Sequence, residues 1–156
     1  MFETIQGEGT FTGVPSVFVR LQECPVGCAW CDTKQTWEAE EKDLAPIGDI
    51  MVKTEDSPTW CFVSAAQIVE QYKLHGFSAK NIVITGGEPC VYDLVNLTEA
   101  FEKIGCQCQI ETSGTFEVKA TDSTWVTVSP KLAMKGKLPV PKAAEGRGGE
   151  KKKPGG

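Results

Sequence analysis

Asn81-Ile82-Val83-Ile84-Thr85-Gly86-Gly87-Glu88-Pro89 is the stretch that decides the fold. Its first half is an unbroken apolar, β-branched run, the pattern of a strand buried on both faces of a parallel sheet. Two glycines and a proline then end the strand abruptly. Upstream, Ser64-Ala65-Ala66-Gln67 is a capping box, which predicts a helix running to about His75-Gly76 with Ile68, Val69 and Tyr72 on one face. Downstream, Leu94, Leu97, Phe101 and Ile104 recur at helical spacing until Gly105. Val17–Leu21, Gln109–Thr112 and Trp125–Ser129 read as three further strands, with Trp125–Ser129 of the buried kind. Residues 38–60, broken by Pro46, Gly48 and Pro58, read as a long irregular connection. Strand, helix, strand, helix, strand is the order of an α/β fold with a parallel sheet.

In such sheets ligands bind beyond the carboxyl ends of the strands. The unusual motifs all fall there. Cys24–Cys31 follows the first strand, Gly86-Gly87-Glu88-Pro89 the second, Thr112-Ser113-Gly114 the third and Ser129-Pro130-Lys131 the fourth. Taken singly each has a plain structural reading: a glycine pair makes a tight turn, and a serine caps a helix. Their convergence on one rim is the stronger signal.

Cys24-Pro25-Val26-Gly27-Cys28-Ala29-Trp30-Cys31 places three thiols in one short loop. A structural zinc site closes itself with four ligands, and ferredoxin-type clusters also take four thiolates. Here the next cysteine is Cys61, and His75 is the sole histidine. A four-iron cluster held by three thiolates keeps one iron open for a small molecule, so the loop reads as a site for chemistry. A zinc knuckle completed by Cys61, Cys90 or His75 is the alternative, and would make the chain a non-catalytic interaction module. A disulfide framework fits less well, because the seven cysteines are odd in number and a signal peptide is not evident. Cys61, Cys90, Cys106 and Cys108 read as small buried apolar residues.

The 156 residues suit one domain, and 40% hydrophobic content can build its core. The net charge of −5 argues against a general nucleic-acid binder. Residues 142–156, rich in Gly and Lys with almost nothing apolar, read as a disordered tail after a globular domain over 1–141. With neither a leader nor a membrane span in view, the expected location is the cytoplasm.

The cysteine loop followed by a Gly-Gly-Glu-Pro strand end resembles the radical S-adenosylmethionine (SAM) superfamily. Within it, Thr4-Ile5-Gln6-Gly7-Glu8-Gly9, Cys31-Asp32-Thr33, Glu111-Thr112-Ser113-Gly114 and Val128-Ser129-Pro130-Lys131 are similar to the 7-carboxy-7-deazaguanine synthase family, in its proteobacterial form. The resemblance covers roughly residues 1–138. It implies a partial, open TIM-like barrel and a carbon–nitrogen lyase of queuosine biosynthesis, the route to a modified tRNA base. The implied reaction contracts 6-carboxy-5,6,7,8-tetrahydropterin to 7-carboxy-7-deazaguanine with loss of ammonia. It uses one 4Fe-4S cluster, SAM as the source of a 5′-deoxyadenosyl radical, and Mg²⁺.

The resemblance also implies roles. Cys24, Cys28 and Cys31 would hold the cluster. Gly86, Gly87 and Glu88 would meet the methionyl end of SAM, and Ser113, Ser129, Pro130 and Lys131 its ribose and adenine. Ile5, Gln6, Gly7, Arg20 and Thr85 would bind the pterin, with Arg20 as the fork for its carboxylate. Thr33 would offer oxygen to Mg²⁺. Implied partners are the small pterin, a flavodoxin or ferredoxin as electron donor, and a second copy in a homodimer; neither nucleic acid nor membrane is bound directly. The alternative within the superfamily is an activating enzyme that makes a glycyl radical on a partner protein. Two departures stand out. Glu23 occupies a position where the family favours a small residue, often glycine. Family members also continue well past residue 138, so the chain is expected to be a shortened one, poorly soluble and nearly inactive, lacking the C-terminal portion of the barrel.

Overall fold

The computed structural model describes residues 1–24, 34–36, 38–53 and 57–130. In chain order these form β1 (Phe2–Ile5), β2 (Pro15–Leu21), α1 (Ile47–Val52), α2 (Ala65–Leu74), β3 (Asn81–Gly86), α3 (Val95–Glu102), β4 (Gln107–Thr112) and β5 (Trp125–Val128), with short 3-10 turns between them. The strands make one sheet in the order β1-β2-β3-β4-β5, with β1 antiparallel to β2 and the rest parallel. The tail at 142–156 lies outside the described residues.

The helices form where the local signals place them. Ser64 Oγ accepts the Gln67 N–H at 3.2 Å while the Gln67 side chain accepts the Ser64 N–H at 2.8 Å, closing the capping box of α2. Ile68, Val69 and Tyr72 are its buried face, and Gly76, at φ +66°, ends it. Leu97 and Phe101 are the buried stripe of α3. Both helices cover one face of the sheet, where Val17 and Val19 (β2), Ile82 and Ile84 (β3) and Cys108 and Ile110 (β4) complete a single core. Tyr72 meets Phe101 edge-on at 5.7 Å between centroids. Cys90, Cys106 and Cys108 are buried, as expected of cysteines that pack as apolar residues, whereas Cys61 is only half-buried.

Three features depart from the sequence reading. β1 is an added antiparallel edge strand, with mostly exposed side chains that leave no buried pattern to read. The 38–60 connection contains α1 and a parallel bridge between Leu44 and Trp60, so it is ordered more than its breakers suggest. Its order comes from cross-links such as Trp60 Nε1 donating to Glu40 O at 2.8 Å. Finally, β5 is half-buried and pairs only with β4 among the described residues, and Trp125 is 41% exposed.

Between β4 and β5 no helix forms. Phe116, Val118 and Ala120 pack on the core instead, and the segment is tied to α3 by Leu94 N–H to Lys119 O (2.8 Å) and Thr121 N–H to Thr98 Oγ1 (3.1 Å). This loop does the covering that a crossover helix would do. Phe101 is fully buried at the centre of the core. Phe101→Ala is therefore expected to cost about 3–5 kcal/mol, read as a lower urea midpoint at an unchanged slope.

Candidate active site

The carboxyl ends of β2 to β5 are bound to one another loop by loop. At the first junction Gly87 N–H donates to Leu21 O at 3.0 Å and Glu88 N–H to Glu23 O at 2.8 Å. A Cβ on Gly86 would lie 2.1 Å from Leu21 O, and one on Gly87 2.1 Å from Glu23 O. The contact is backbone on backbone, so no side chain fits at either position. Gly86 also has φ +127°, a region closed to most residues with a Cβ. The close approach that these glycines allow is thus to the segment leading into Cys24.

The second junction is the Glu88 side chain, which is 1% exposed. One carboxylate oxygen accepts Thr112 Oγ1–H at 2.5 Å and Cys90 N–H at 3.1 Å. The other accepts Ser113 N–H at 2.9 Å and the Ser113 hydroxyl. Four donors fill the lone-pair sites of the carboxylate and hold the Thr-Ser-Gly turn against the Gly-Gly-Glu turn. At the third junction Ser129 N–H donates to Thr112 O at 2.9 Å. Burial pushes the Cys90 thiol up to about 11, so it stays a neutral packing group beneath this network.

The sheet face opposite the helices is polar toward this rim. The register pairs Arg20 with Thr85 and Glu111 with Thr127, all on the side facing away from the core cluster. Gln6, 2% exposed, donates from Nε2 to Glu111 Oε1 at 2.9 Å and to Gln109 Oε1 at 3.4 Å. Gln109 in turn donates to Thr127 Oγ1 at 3.2 Å. Arg20 lies over the Phe2 ring at 5.8 Å, and its buried Nε has no hydrogen-bond partner. Lys53 is held by the carbonyls of Thr59 and Ser57, and both burial and the positive charge of Arg20 pull its pKa down. Among the described residues the one ion pair is Lys42–Glu40, so neither Arg20 nor Lys53 has a carboxylate partner. An orphaned guanidinium nitrogen beside a second cation suits an anionic ligand.

Cys24 sits half-buried just past the end of β2. Cys28, Cys31, Thr33 and Lys131 lie outside the described residues. Among the described ones, no group of three or more His, Cys, Asp or Glu side chains converges on a metal position. Gly86, Gly87, Glu88, Ser113, Ser129 and Pro130 share the rim, whereas Gln6, Arg20 and Thr85 share the polar face. Ile5 is 55% exposed at the end of β1, and open space surrounds Gly7. A shallow hollow lined by Pro15, Lys80, Asn81 and Gln107 lies at the amino ends of the strands and carries none of these motifs.

The chain is 53% identical over 154 residues to the 7-carboxy-7-deazaguanine synthase of Escherichia coli (strain K12), covering 99% of this chain and 69% of that protein. The chain belongs to the 7-carboxy-7-deazaguanine synthase family. The Buchnera aphidicola (subsp. Schizaphis graminum) synthase is 47% identical over 135 residues, covering 86% of this chain and 62% of that one. The crystal structure of QueE from Escherichia coli superposes with a TM-score of 0.90 at 54% identity, over 94% of this chain and 64% of that one. No family model matches the chain. The chain thus spans roughly two thirds of the length of these synthases. The match reaches almost its whole length, so the likeness extends beyond the residue-138 limit read from motifs. The synthase family consists of radical SAM lyases, which implies a 4Fe-4S cluster and SAM. The donor chemistry fits: a cysteine sulfur at the strand end, a polar rim beside it and an arginine with an unpartnered Nε on the face below.

Gln109, Thr127 and Lys53 fall outside the motifs read from the sequence, and Glu111 stands there only as part of the Glu-Thr-Ser-Gly motif, without a role. The alternation Gln109-Ile110-Glu111-Thr112 was the available signal, since polar residues at every second position of a buried strand must line a polar face. Glu88→Gln places an NH₂ donor where two donors already point at each oxygen. It is expected to destabilise the fold by about 1–3 kcal/mol, measured by urea denaturation of the metal-free protein.

Proposed function

We propose that the protein acts as a radical SAM lyase that converts 6-carboxy-5,6,7,8-tetrahydropterin to 7-carboxy-7-deazaguanine with loss of ammonia, toward queuosine. The observation that carries this reading is the seating of Cys24 and Gly86-Gly87-Glu88 on one rim, at the end of the face that bears the unpartnered Nε of Arg20. Cys24, Cys28 and Cys31 hold the cluster. When bound, cluster and SAM together supply one-electron chemistry that removes a hydrogen atom from the substrate.

The chain's own residues bind and orient. Gly86, Gly87 and Glu88 meet the methionyl end of SAM. Because the Glu88 carboxylate is already filled, they do so through backbone groups. Ser113, Ser129, Pro130 and Lys131 line the nucleoside side. Ile5, Gln6, Gly7, Arg20 and Thr85 receive the pterin, with Arg20 taking its carboxylate in place of a protein partner. Thr33 offers its hydroxyl to Mg²⁺. A cytoplasmic flavodoxin or ferredoxin supplies the electron, and the working form is a homodimer. No described helix is long and apolar enough to cross a membrane. The glycyl-radical activating reading is set aside, because the relatives matched carry the synthase name.

Anaerobic reconstitution, metal and sulfide analysis, and electron paramagnetic resonance with and without SAM test the reading. Zinc without iron or sulfide would overturn it, as would a spectrum indifferent to SAM. Cys24→Ala, Cys28→Ala and Cys31→Ala are each expected to abolish cluster incorporation, whereas Cys61→Ala, Cys106→Ala and Cys108→Ala retain it. Arg20→Ala is expected to weaken pterin binding at least about tenfold, the loss of one charge-assisted pair, while SAM binding persists. Separate titrations with pterin and with SAM distinguish the two effects.

A further inference from the structure

We propose that Tyr92 is a positioning residue for the first cluster cysteine: by clasping Gln22 and Glu23 it holds the left-handed backbone of Glu23, which sets how the chain leaves β2 and arrives at Cys24. The inference rests on the reading that Cys24, Cys28 and Cys31 hold an iron–sulfur cluster.

Glu23 has φ +79° and is the one described residue other than glycine with a positive φ. The left-handed region crowds Cβ against the following carbonyl, and glutamate has no short side chain to relieve it. Such a conformation persists only where its surroundings over-determine it, and such places are commonly functional. Here they do. Glu23 N–H donates to Thr36 O at 2.8 Å, and Glu23 O accepts Glu88 N–H at 2.8 Å. Gly87 backs directly onto that same carbonyl. Gln22 Nε2 donates to Gln35 O at 2.9 Å and Glu38 O at 2.6 Å, which fixes the preceding residue.

Tyr92 closes the arrangement. Its hydroxyl is shared between Gln22 O at 2.9 Å and Glu23 Oε2 at 3.2 Å. Tyr92 follows the 3-10 turn Pro89–Val91, so the Gly-Gly-Glu-Pro rim reaches back to the Leu21–Glu23 segment before Cys24 through a side chain as well as through its backbone. Burial, then the Glu23 charge, pushes the Tyr92 phenol up to about 12. A glycine at position 23 would adopt the same backbone without strain and need no clasp. Glu23 and Tyr92 thus act together as a substitute for that glycine.

The experiment compares the wild-type chain, Tyr92→Phe, Glu23→Gly and the double variant. Melting of the metal-free protein reads the clasp. Iron and sulfide content, the rate of iron loss to a ferrous chelator and the spectrum of the reduced cluster read the positioning. Tyr92→Phe is expected to melt lower than wild type, to release iron several-fold faster and to alter the reduced-cluster spectrum. Glu23→Gly is expected to melt higher than wild type and retain its cluster. The double variant is expected to behave as Glu23→Gly, since glycine makes the clasp unnecessary. Wild-type cluster retention in Tyr92→Phe would overturn the proposal, and so would a double variant that loses iron as fast as Tyr92→Phe. A wild-type chain that binds no iron–sulfur cluster would instead overturn the proposed function, while the melting order of the metal-free variants still reports on the clasp.

Discussion

The close backbone contact between Gly86-Gly87 and Leu21–Glu23 is the constraint on which the rim depends. Parallel strands keep their register through slanted hydrogen bonds that end where the strands end. Beyond that point adjacent loops ordinarily diverge. Here β2 and β3 stay in contact for two further residues, through Gly87 N–H to Leu21 O and Glu88 N–H to Glu23 O. That extension is possible only because neither glycine has a Cβ. It carries Glu88 into the space beneath β4, where its carboxylate gathers Cys90, Thr112 and Ser113. The motifs of three separate strands thereby become one rigid surface.

A second consequence is a division of labour between the faces of the sheet. The helix-covered face is apolar, from Val17 through Ile84 to Ile110, and supplies the burial that holds the domain together. The opposite face can then carry Arg20, Thr85, Glu111 and Thr127, whose side chains add little to the core. Gln6 and Gln109 satisfy several of their polar neighbours with hydrogen bonds, so this face is ordered without being apolar. Arg20 and Lys53 are the exceptions, two cations without an acidic partner among the described residues. Such an imbalance suits an anionic ligand.

Glu88 shows how tertiary context occupies a side chain that its motif leaves free. A carboxylate at that position reads as a partner for an ammonium group. In the fold it is enclosed, and four donors from its own chain reach it first. Its carboxylate thereby ties the Gly-Gly-Glu turn to the Thr-Ser-Gly turn. The same holds for Gly86 and Gly87, whose missing side chains are filled by protein backbone.

By itself the sequence determined what depends on neighbours close in the chain. The capping box of α2, the apolar stripe of α3 and the buried run of β3 each record a local periodicity, and each motif's place at a strand end follows from adjacency. Tertiary structure decided whatever depends on distant partners. The pairing of β1 with β2 was hidden because a four-residue edge strand with exposed side chains has no periodicity to read. Gln6 meets Glu111 across 105 positions, Glu88 meets Ser113 across 25, and Tyr92 meets Glu23 across 69. The left-handed backbone of Glu23 belongs to the same class: no local preference of glutamate favours it, and only the packed neighbours Thr36, Gly87, Glu88 and Tyr92 hold it there.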